Sequence, residues 1–505
     1  MPQRLSSPTS ALKPAYDVVV VGSGYGGGVS ASRLARAGQR VCVIERGREV
    51  PTGEFPARLP ELRRELQLNG GKMRSGSRTG LYDFRMGTDI HVLVGCGLGG
   101  GSLINAGVGL RPDARVFADG AWPDEVTKDG LLDLGFERAQ MMLRPSRYRD
   151  ARELTKYRAL EAASTAFGTP PVAAPVVVSF EETVNPAGVA QPACTLCGDC
   201  CSGCNVGAKN TVAVTYLPDA KAHGAEIFTE LTVKRLEKRD GGWRVHFAPS
   251  EEKDAEPSHV DAKTVVLAAG TLGSTEILLR SRDHGLKLSD RLGDGFSANG
   301  DIIAFALGGR EKVNGVGVGE PPKYVGDAIG ACVAGEIELP DATDLDRSMI
   351  IQEGVMPSCV GAPAPGVLHR RRSAARRRAK SHQGRLSRPA VASPHLLRRV
   401  ARRRQGPHPA RQRQRSGALA ACRRPAGLCA GRRSADQSGG GGRCALHQEP
   451  SAATSMGVKP ATAHPLGGCG MGDDAGRGVV NHKCQVFAGT SGDDVHSGSM
   501  SATAP

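Results

Sequence analysis

Residues 15–47, AYDVVVVGSGYGGGVSASRLARAGQRVCVIERG, constrain the fold more than any other part of the chain. Val18–Val21 is a β-branched run of the kind required by a parallel strand covered on both faces. Gly22-Ser23-Gly24-Tyr25-Gly26-Gly27 follows as G-x-G-x-x-G. Helical spacing runs from Ser30 to Ala37 with Leu34 on the inward face, Gly38 ends it, and Val41–Ile44 is a second strand. Glu45 closes that strand, 23 positions after Gly22. Each part has a job. Gly22 allows the tight turn, Gly24 lets backbone approach a pyrophosphate, and Gly27 lets helix and strand pack closely. The helix N-terminus offers free N–H groups to phosphates, and Glu45 can accept from ribose hydroxyls. The unit predicts an α/β, doubly wound, Rossmann-like domain that binds a dinucleotide.

A length of 505 residues is enough for two or three domains. The formal charge of +15 suggests a polyanionic partner until its distribution is examined. Leu368–Cys444 carries 21 Arg and Lys380 against one acid, Asp436, so this segment is +21 and the rest of the chain is net −6. It also lacks Phe, Tyr, Trp and Ile. Met1–Lys13 is polar, with no apolar segment of a secretory signal, and no apolar run approaches the roughly 18 residues of a membrane span. Of 14 cysteines, five crowd into Cys194–Cys204, which reads as a metal or redox site rather than a disulfide framework. These features point to a cytoplasmic protein with no transmembrane segment.

A second Gly-rich block, GCGLGGGSLINAGVGLRP at Gly95–Pro112, suggests backbone pressed against a flat ligand. With TVVLAAGTLGSTEILLRS at Thr264–Ser281 and AHPLGGCGMG at Ala463–Gly472, the chain resembles the glucose–methanol–choline (GMC) flavoprotein oxidoreductases, in their cholesterol oxidase-like branch. The resemblance spans roughly residues 15–365 and 455–487. It implies FAD, with Gly100, Ser102, Asn105 and Gly107 beside the flavin, Val233 meeting the adenine through its backbone, and Gly270 returning a strand end to the cofactor. It also implies oxidation of an alcohol, such as a 3β-hydroxysteroid, by hydride transfer to flavin, with oxygen or another electron acceptor completing the cycle. His464 matches the family's active-site histidine, and an imidazole can take the hydroxyl proton near neutral pH. Glu353 resembles the glutamate by which cholesterol oxidases shift a steroid double bond. The implied organisation is discontinuous. The FAD-binding domain takes 14–125, 205–300 and 456–488, and a substrate domain with an antiparallel sheet takes 126–204 and 301–366.

Cys194, Cys197, Cys200 and Cys204 stand at C-x2-C-x2-C-x3-C, the spacing of bacterial ferredoxin loops, with Cys201 to spare. Four thiolates at this spacing suit an iron–sulfur cluster or a zinc ion, although Asn205 stands where ferredoxins carry proline. A redox-inert loop is the alternative. The Arg-rich stretch, 367–455, interrupts the resemblance and reads as disordered. Its residues own the GC-rich codons, so it has the composition of a coding sequence read out of frame. The tail, 489–505, ends SGSMSATAP where the family would continue with a strand, an Asp-Gly pair and a catalytic Asn. Two further readings follow: an inactive, frame-damaged remnant of such an enzyme, or a charge-driven polyanion binder. Specific nucleic-acid recognition is disfavoured by the missing aromatics and by Pro389, Pro394, Pro407 and Pro409.

Overall fold

The computed structural model describes residues 4–71, 73–118, 120–307, 313–319, 328–360, 445–447, 460–496 and 500–502. The Arg-rich stretch lies outside the described residues except for Ala445–His447, a short strand antiparallel to Phe305–Leu307. The tail is described only as far as residue 496 and at Met500–Ala502.

Strand β1 (Ala15–Val21) is the centre of the fold. Successive side chains of a strand point to opposite faces. Val18 and Val20 enter one apolar cluster and Val19 and Val21 another, which is why the run is apolar without alternation. Helix α1 (Tyr25–Arg36) begins five residues before the expected Ser30. Its first turn holds Gly26, Gly27 and Gly28, poor helix formers by propensity. Tertiary packing decides the matter: a Cβ on Gly27 would lie 2.0 Å from the Gly22 carbonyl oxygen, so only glycine lets the helix sit there. Ala31, Ser32 and Ala35 form the inward face, and Leu34, expected there, is half-buried at its edge. Gly38 ends the helix region at φ +78°, and β2 (Val41–Ile44) is wholly buried.

A mixed layer follows, made of β3 (Leu66–Gly70), β4 (Met73–Gly76), β5 (Tyr82–Met86) and β6 (His91–Gly95), in which β3–β4 and β5–β6 pair antiparallel and β3–β5 in parallel. Helices α2 (Leu131–Leu143) and α3 (Thr155–Ser164) lead to the short β7 (Val172–Ala173). The chain then returns to the first sheet through α4 (Tyr216–Ala222), β8 (Glu226–Phe228), β9 (Leu231–Arg239), β10 (Gly242–Pro249) and β11 (Ser258–Leu267), and leaves by α5 (Gly270–Asp283). Beyond it come β12 (Gly335–Leu339), β13 (Met349–Gln352), β14 (Ala461–Thr462) and β15 (Met500–Ala502).

The main sheet runs β8-β2-β1-β11-β10-β9, with β15 beside β11. Its β8, β2, β1, β11 and β15 are parallel, whereas β9 and β10 form an antiparallel meander on β11. α1 and α4 cover one face, and Ile277 and Leu278 of α5 belong to the cluster on the other. Buried Asp219 of α4 clamps the first pair, accepting from Ser32 Oγ (2.6 Å) and Arg36 Nε (2.9 Å). The sheet of β3–β6 gains β14 in parallel, and β13-β12-β7 is a separate antiparallel sheet. The architecture is α/β: a doubly wound, Rossmann-like sheet covered by helices, and an α+β part with an antiparallel sheet.

Candidate active site

The Gly22–Gly27 turn leaves β1 and enters α1 with Gly24 as N-cap and no side chain capping the helix. The first-turn N–H groups and the positive end of the helix dipole are therefore available to phosphate. The second Gly-rich block packs directly on this turn. Gly100 has φ +57°, and a Cβ there would fall 2.8 Å from Gly24 Cα. Buried Glu45 ties the pieces together. Its Oε2 accepts from the Ser23 N–H (3.1 Å) and Ser23 Oγ (2.6 Å), and its Oε1 from the Gly47 N–H (2.7 Å). Ser23 Oγ in turn accepts from the Gly99 N–H (3.0 Å). A carboxylate offers about four lone-pair sites, so one direction at Glu45 remains for a hydroxyl donor.

Asn105 is half-buried on the same wall. Its Nδ2 donates to Tyr25 Oη (3.0 Å), while its Oδ1 is buried with no hydrogen-bond partner. A buried amide oxygen without a donor is what a ligand N–H would satisfy. Gly270, at φ +72°, opens α5 immediately after β11, and a Cβ built on it meets nothing within 4 Å. An uncapped helix N-terminus, an orphaned amide oxygen and open space at Gly270 together fit FAD. Val233 lies near Glu45: two residues before it, the Leu231 N–H donates to the Glu45 carbonyl (3.0 Å), and the β9 register is irregular just after Val233. Gly107 has φ +78° and accepts from the Val177 N–H (2.7 Å). The Ser102 hydroxyl is spent on the protein, donating to the Gly99 carbonyl (2.6 Å) and accepting from the Val212 N–H (3.0 Å).

Lys209 was not singled out by the sequence. Its Nζ is buried and donates to the carbonyls of Leu103 (3.2 Å), Asn105 (2.6 Å) and Cys200 (3.0 Å). Burial drives its pKa down. It joins the Gly-rich wall to the Cys-rich loop with no carboxylate partner among the described residues. The one visible signal is a lone Lys in the otherwise uncharged NVGAKNT.

The segment carrying His464 docks on the start of α5. Thr271 Oγ1 donates to the Pro465 carbonyl (2.7 Å), and Leu466 exchanges two backbone hydrogen bonds of 2.9 Å with Ser297. His464 Nδ1 lies 2.6 Å from Asp301 Oδ2, and this hydrogen bond raises the imidazole pKa above its ordinary value. Nε2 has no partner among the described residues. Asp301 is a partner the sequence did not reveal, since 163 positions separate it from His464.

Glu353 is placed differently from a free base. Its Oε1 accepts from the N–H groups of Ala334 (2.7 Å) and Gly335 (2.8 Å), and its Oε2 lies 3.0 Å from the Lys156 ammonium, with both side chains buried. Lys156 directs its N–H groups to the carbonyls of Ala331 (2.5 Å) and Cys332 (3.1 Å), so its contact with Oε2 is one of charge, and that oxygen lacks an aligned donor. A proton-shuttling Glu353 would require Lys156 to withdraw.

The iron–sulfur or zinc expectation gains no support from the placement of the cysteines. Among the described residues no group of three or more His, Cys, Asp or Glu is placed to hold a metal ion, although Cys194, Cys197, Cys200 and Cys204 are all described. The 3-10 turn Cys200–Ser202 explains why. It buries Cys200 in an apolar cluster with Val176, Ile329 and Val355, where burial pushes its thiol up to about 12. Cys201 is instead aimed at Cys332.

A cholesterol oxidase of Mycobacterium tuberculosis is 35% identical over 318 residues, covering 58% of this chain and 53% of that protein. A cholesterol oxidase of Acinetobacter baumannii is 28% identical, covering 57% and 55% respectively. A long-chain-alcohol oxidase of Arabidopsis thaliana is 28% identical, covering 56% and 37%. A solved fungal aryl-alcohol oxidase aligns with a TM-score of 0.36 at 15% identity, over 54% of this chain and 48% of that one. The chain thus spans about half the length of the cholesterol oxidases it matches. A family model described as GMC oxidoreductase matches residues 16–296, from β1 past the end of α5 and across more than half the chain. With both Gly-rich turns and the strand-to-helix return of β11 and α5 inside that match, the chain belongs to the GMC oxidoreductases, a family that binds FAD.

Proposed function

We propose that this chain oxidises an alcohol borne on a large apolar skeleton, a 3β-hydroxysteroid in the first instance, using FAD. The observation that carries the reading is the anchoring of the His464 segment to both the start of α5 and a carboxylate, through Pro465–Thr271 and Nδ1–Asp301. The names of the relatives support the substrate class, since cholesterol and long-chain alcohols share a hydroxyl on an apolar body. In this reading the uncapped start of α1 and Gly24 receive the pyrophosphate, Glu45 a ribose hydroxyl, and the Val233 backbone the adenine. Gly100, Asn105, Gly107 and Gly270 flank the flavin, with Ser102 shaping the turn behind them. Bound FAD supplies the hydride acceptor.

The protein's own task is proton handling and orientation. With Nδ1 hydrogen-bonded to Asp301, the neutral imidazole presents Nε2 as acceptor to the substrate hydroxyl. Nε2 holds the hydroxyl in line and takes its proton as the alcohol becomes a carbonyl. Because Asp301 raises the imidazole pKa, the accepting form is populated only above that raised value, so activity should rise with pH through it. Oxygen, giving peroxide, or another acceptor completes turnover. A cytoplasmic location belongs to the same reading, supported by the free thiols among the described residues. No described helix is long and apolar enough to cross a membrane.

The test is the visible spectrum of the purified, gel-filtered protein, followed by sterol-dependent peroxide release. A colourless protein that takes up no added FAD would remove the cofactor assignment and favour an inactive remnant. A flavin-bearing protein inert to sterols but active on primary long-chain alcohols would move the substrate.

A further inference from the structure

Cys201 and Cys332 are 131 positions apart, yet their Sγ atoms lie 3.4 Å from each other. Cys201 sits on the 3-10 turn Cys200–Ser202, and Cys332 on the run leading into β12. Both turns are held from beneath by a buried ammonium. Lys209 Nζ donates to the carbonyl of Cys200, the neighbour of Cys201 (3.0 Å), and Lys156 Nζ to the carbonyl of Cys332 itself (3.1 Å). The Cys332 N–H points at Cys200 Sγ (3.4 Å), which fixes the approach of the two turns from a third direction. Backbone clamped on both sides and sulfurs in contact remove most of the ordering cost of joining them. Accessibility differs between the two: Cys201 is half-buried and Cys332 only 4% exposed, so an oxidant reaches Cys201 first.

We propose that Cys201 and Cys332 form a peroxide-sensitive thiol pair, a modification site at which a reversible disulfide ties the Cys-rich loop to the strand start at β12. In the first step Cys201 Sγ attacks one oxygen of hydrogen peroxide, the O–O bond breaks, and sulfenic acid and one water are formed. In the second, Cys332 Sγ attacks the sulfenic sulfur, the S–O bond breaks, the S–S bond forms and a second water leaves. Two thiols lose two electrons and two protons, and one peroxide is reduced to two waters. The peroxide that an alcohol oxidase releases is a source close at hand, and only that point rests on the function proposed above. Transient bonds of this kind are the form disulfides take in a reducing compartment. Through Lys209, which also holds Leu103 and Asn105, the new bond braces the Gly-rich cofactor wall against the substrate domain.

The experiment treats the full-length protein with graded hydrogen peroxide, removes the peroxide, unfolds the protein in urea containing iodoacetamide to block every remaining thiol, and maps the peptides by mass spectrometry. Because peroxide is supplied, the result does not depend on catalytic activity. The expected result is joint loss of alkylation at Cys201 and Cys332 at the lowest peroxide that acts, with a Cys201–Cys332 cross-linked peptide that dithiothreitol abolishes. In Cys332→Ser the cross-link disappears and Cys201 becomes trappable by dimedone. Cross-linking of Cys201 to Cys194 or Cys204 instead, or full alkylation of both thiols while other cysteines oxidise, would overturn the proposal. Should Cys332→Ser fail to fold, the cross-link map of the unsubstituted chain decides alone.

Discussion

The cradle for the nucleotide and the edge that carries His464 are built by opposite means. The cradle is made of backbone: strand ends, two Gly-rich turns and an uncapped helix, locked by contacts such as Gly27 against the Gly22 carbonyl. The histidine edge is held by side chains reaching across long stretches of sequence, Asp301 to His464 and Thr271 to the Pro465 carbonyl, and the Lys156–Glu353 pair beside β12 is built in the same way. Backbone sites fail by steric clash and lose their ligand. Side-chain sites fail by losing a partner and keep their fold, unless the surviving partner is a buried charge.

That distinction can be broken or sharpened with five variants. His464→Ala should lower turnover by roughly 10²–10⁴-fold while flavin absorbance after gel filtration stays unchanged. Loss of the flavin along with turnover would merge the two regions into one. Lys156→Met strands Glu353 as an uncompensated buried charge and should cost about 3–5 kcal/mol in urea unfolding. Adding Glu353→Gln should restore part of it, whereas an additive double variant would mean that the two side chains do not interact. Lys209→Met, which leaves only neutral carbonyls behind, should cost less than Lys156→Met. Gly27→Ala should cost about 1–3 kcal/mol by overpacking and reduce flavin retention, and a protein that keeps its flavin would show that the helix can shift away. The smallest effect is expected from Asp301→Asn. Removing the partner that raises the His464 pKa should move the rising limb of the pH–rate profile to lower pH, together with the imidazole titration read by NMR. The ion pair contributes stability below the unfolded histidine pKa and loses it as pH rises through the raised folded value, so Asp301→Asn should matter least to stability at alkaline pH.

The same contrast explains what could be read from the chain. β1, the Gly22–Gly27 turn, β2 and Glu45 were legible because burial on both faces demands β-branched runs and close backbone approach demands glycine. The start of α1 at Tyr25 was not, since the propensity of three glycines argues against helix and only their packing reverses it. Ser102 lay in a recognisable motif, but the direction of its hydroxyl depends on Val212, which is distant in sequence. Asp301 left no local trace at all. The cysteine spacing was legible, but spacing alone did not show how the thiols are arranged. Ligand spacing describes where thiols stand along a chain, whereas the turn at Cys200–Ser202 determines where they point, and Cys332, which completes that neighbourhood, stands far outside the motif.

The hydrogen bond from Thr271 to Pro465 spans 194 positions. Closing a loop of that length is an entropic problem that grows only logarithmically, about 0.6 kcal/mol for each doubling. Once both anchor points are fixed, the histidine's distance from the sheet no longer depends on how much chain runs between them. Added length between those anchors therefore costs little in closure entropy and leaves the surroundings of His464 where they are, provided that α5, Ser297, Asp301, β12 and β13 keep their own contacts and that strand β14 and the Ser297–Leu466 pairing still catch the returning chain.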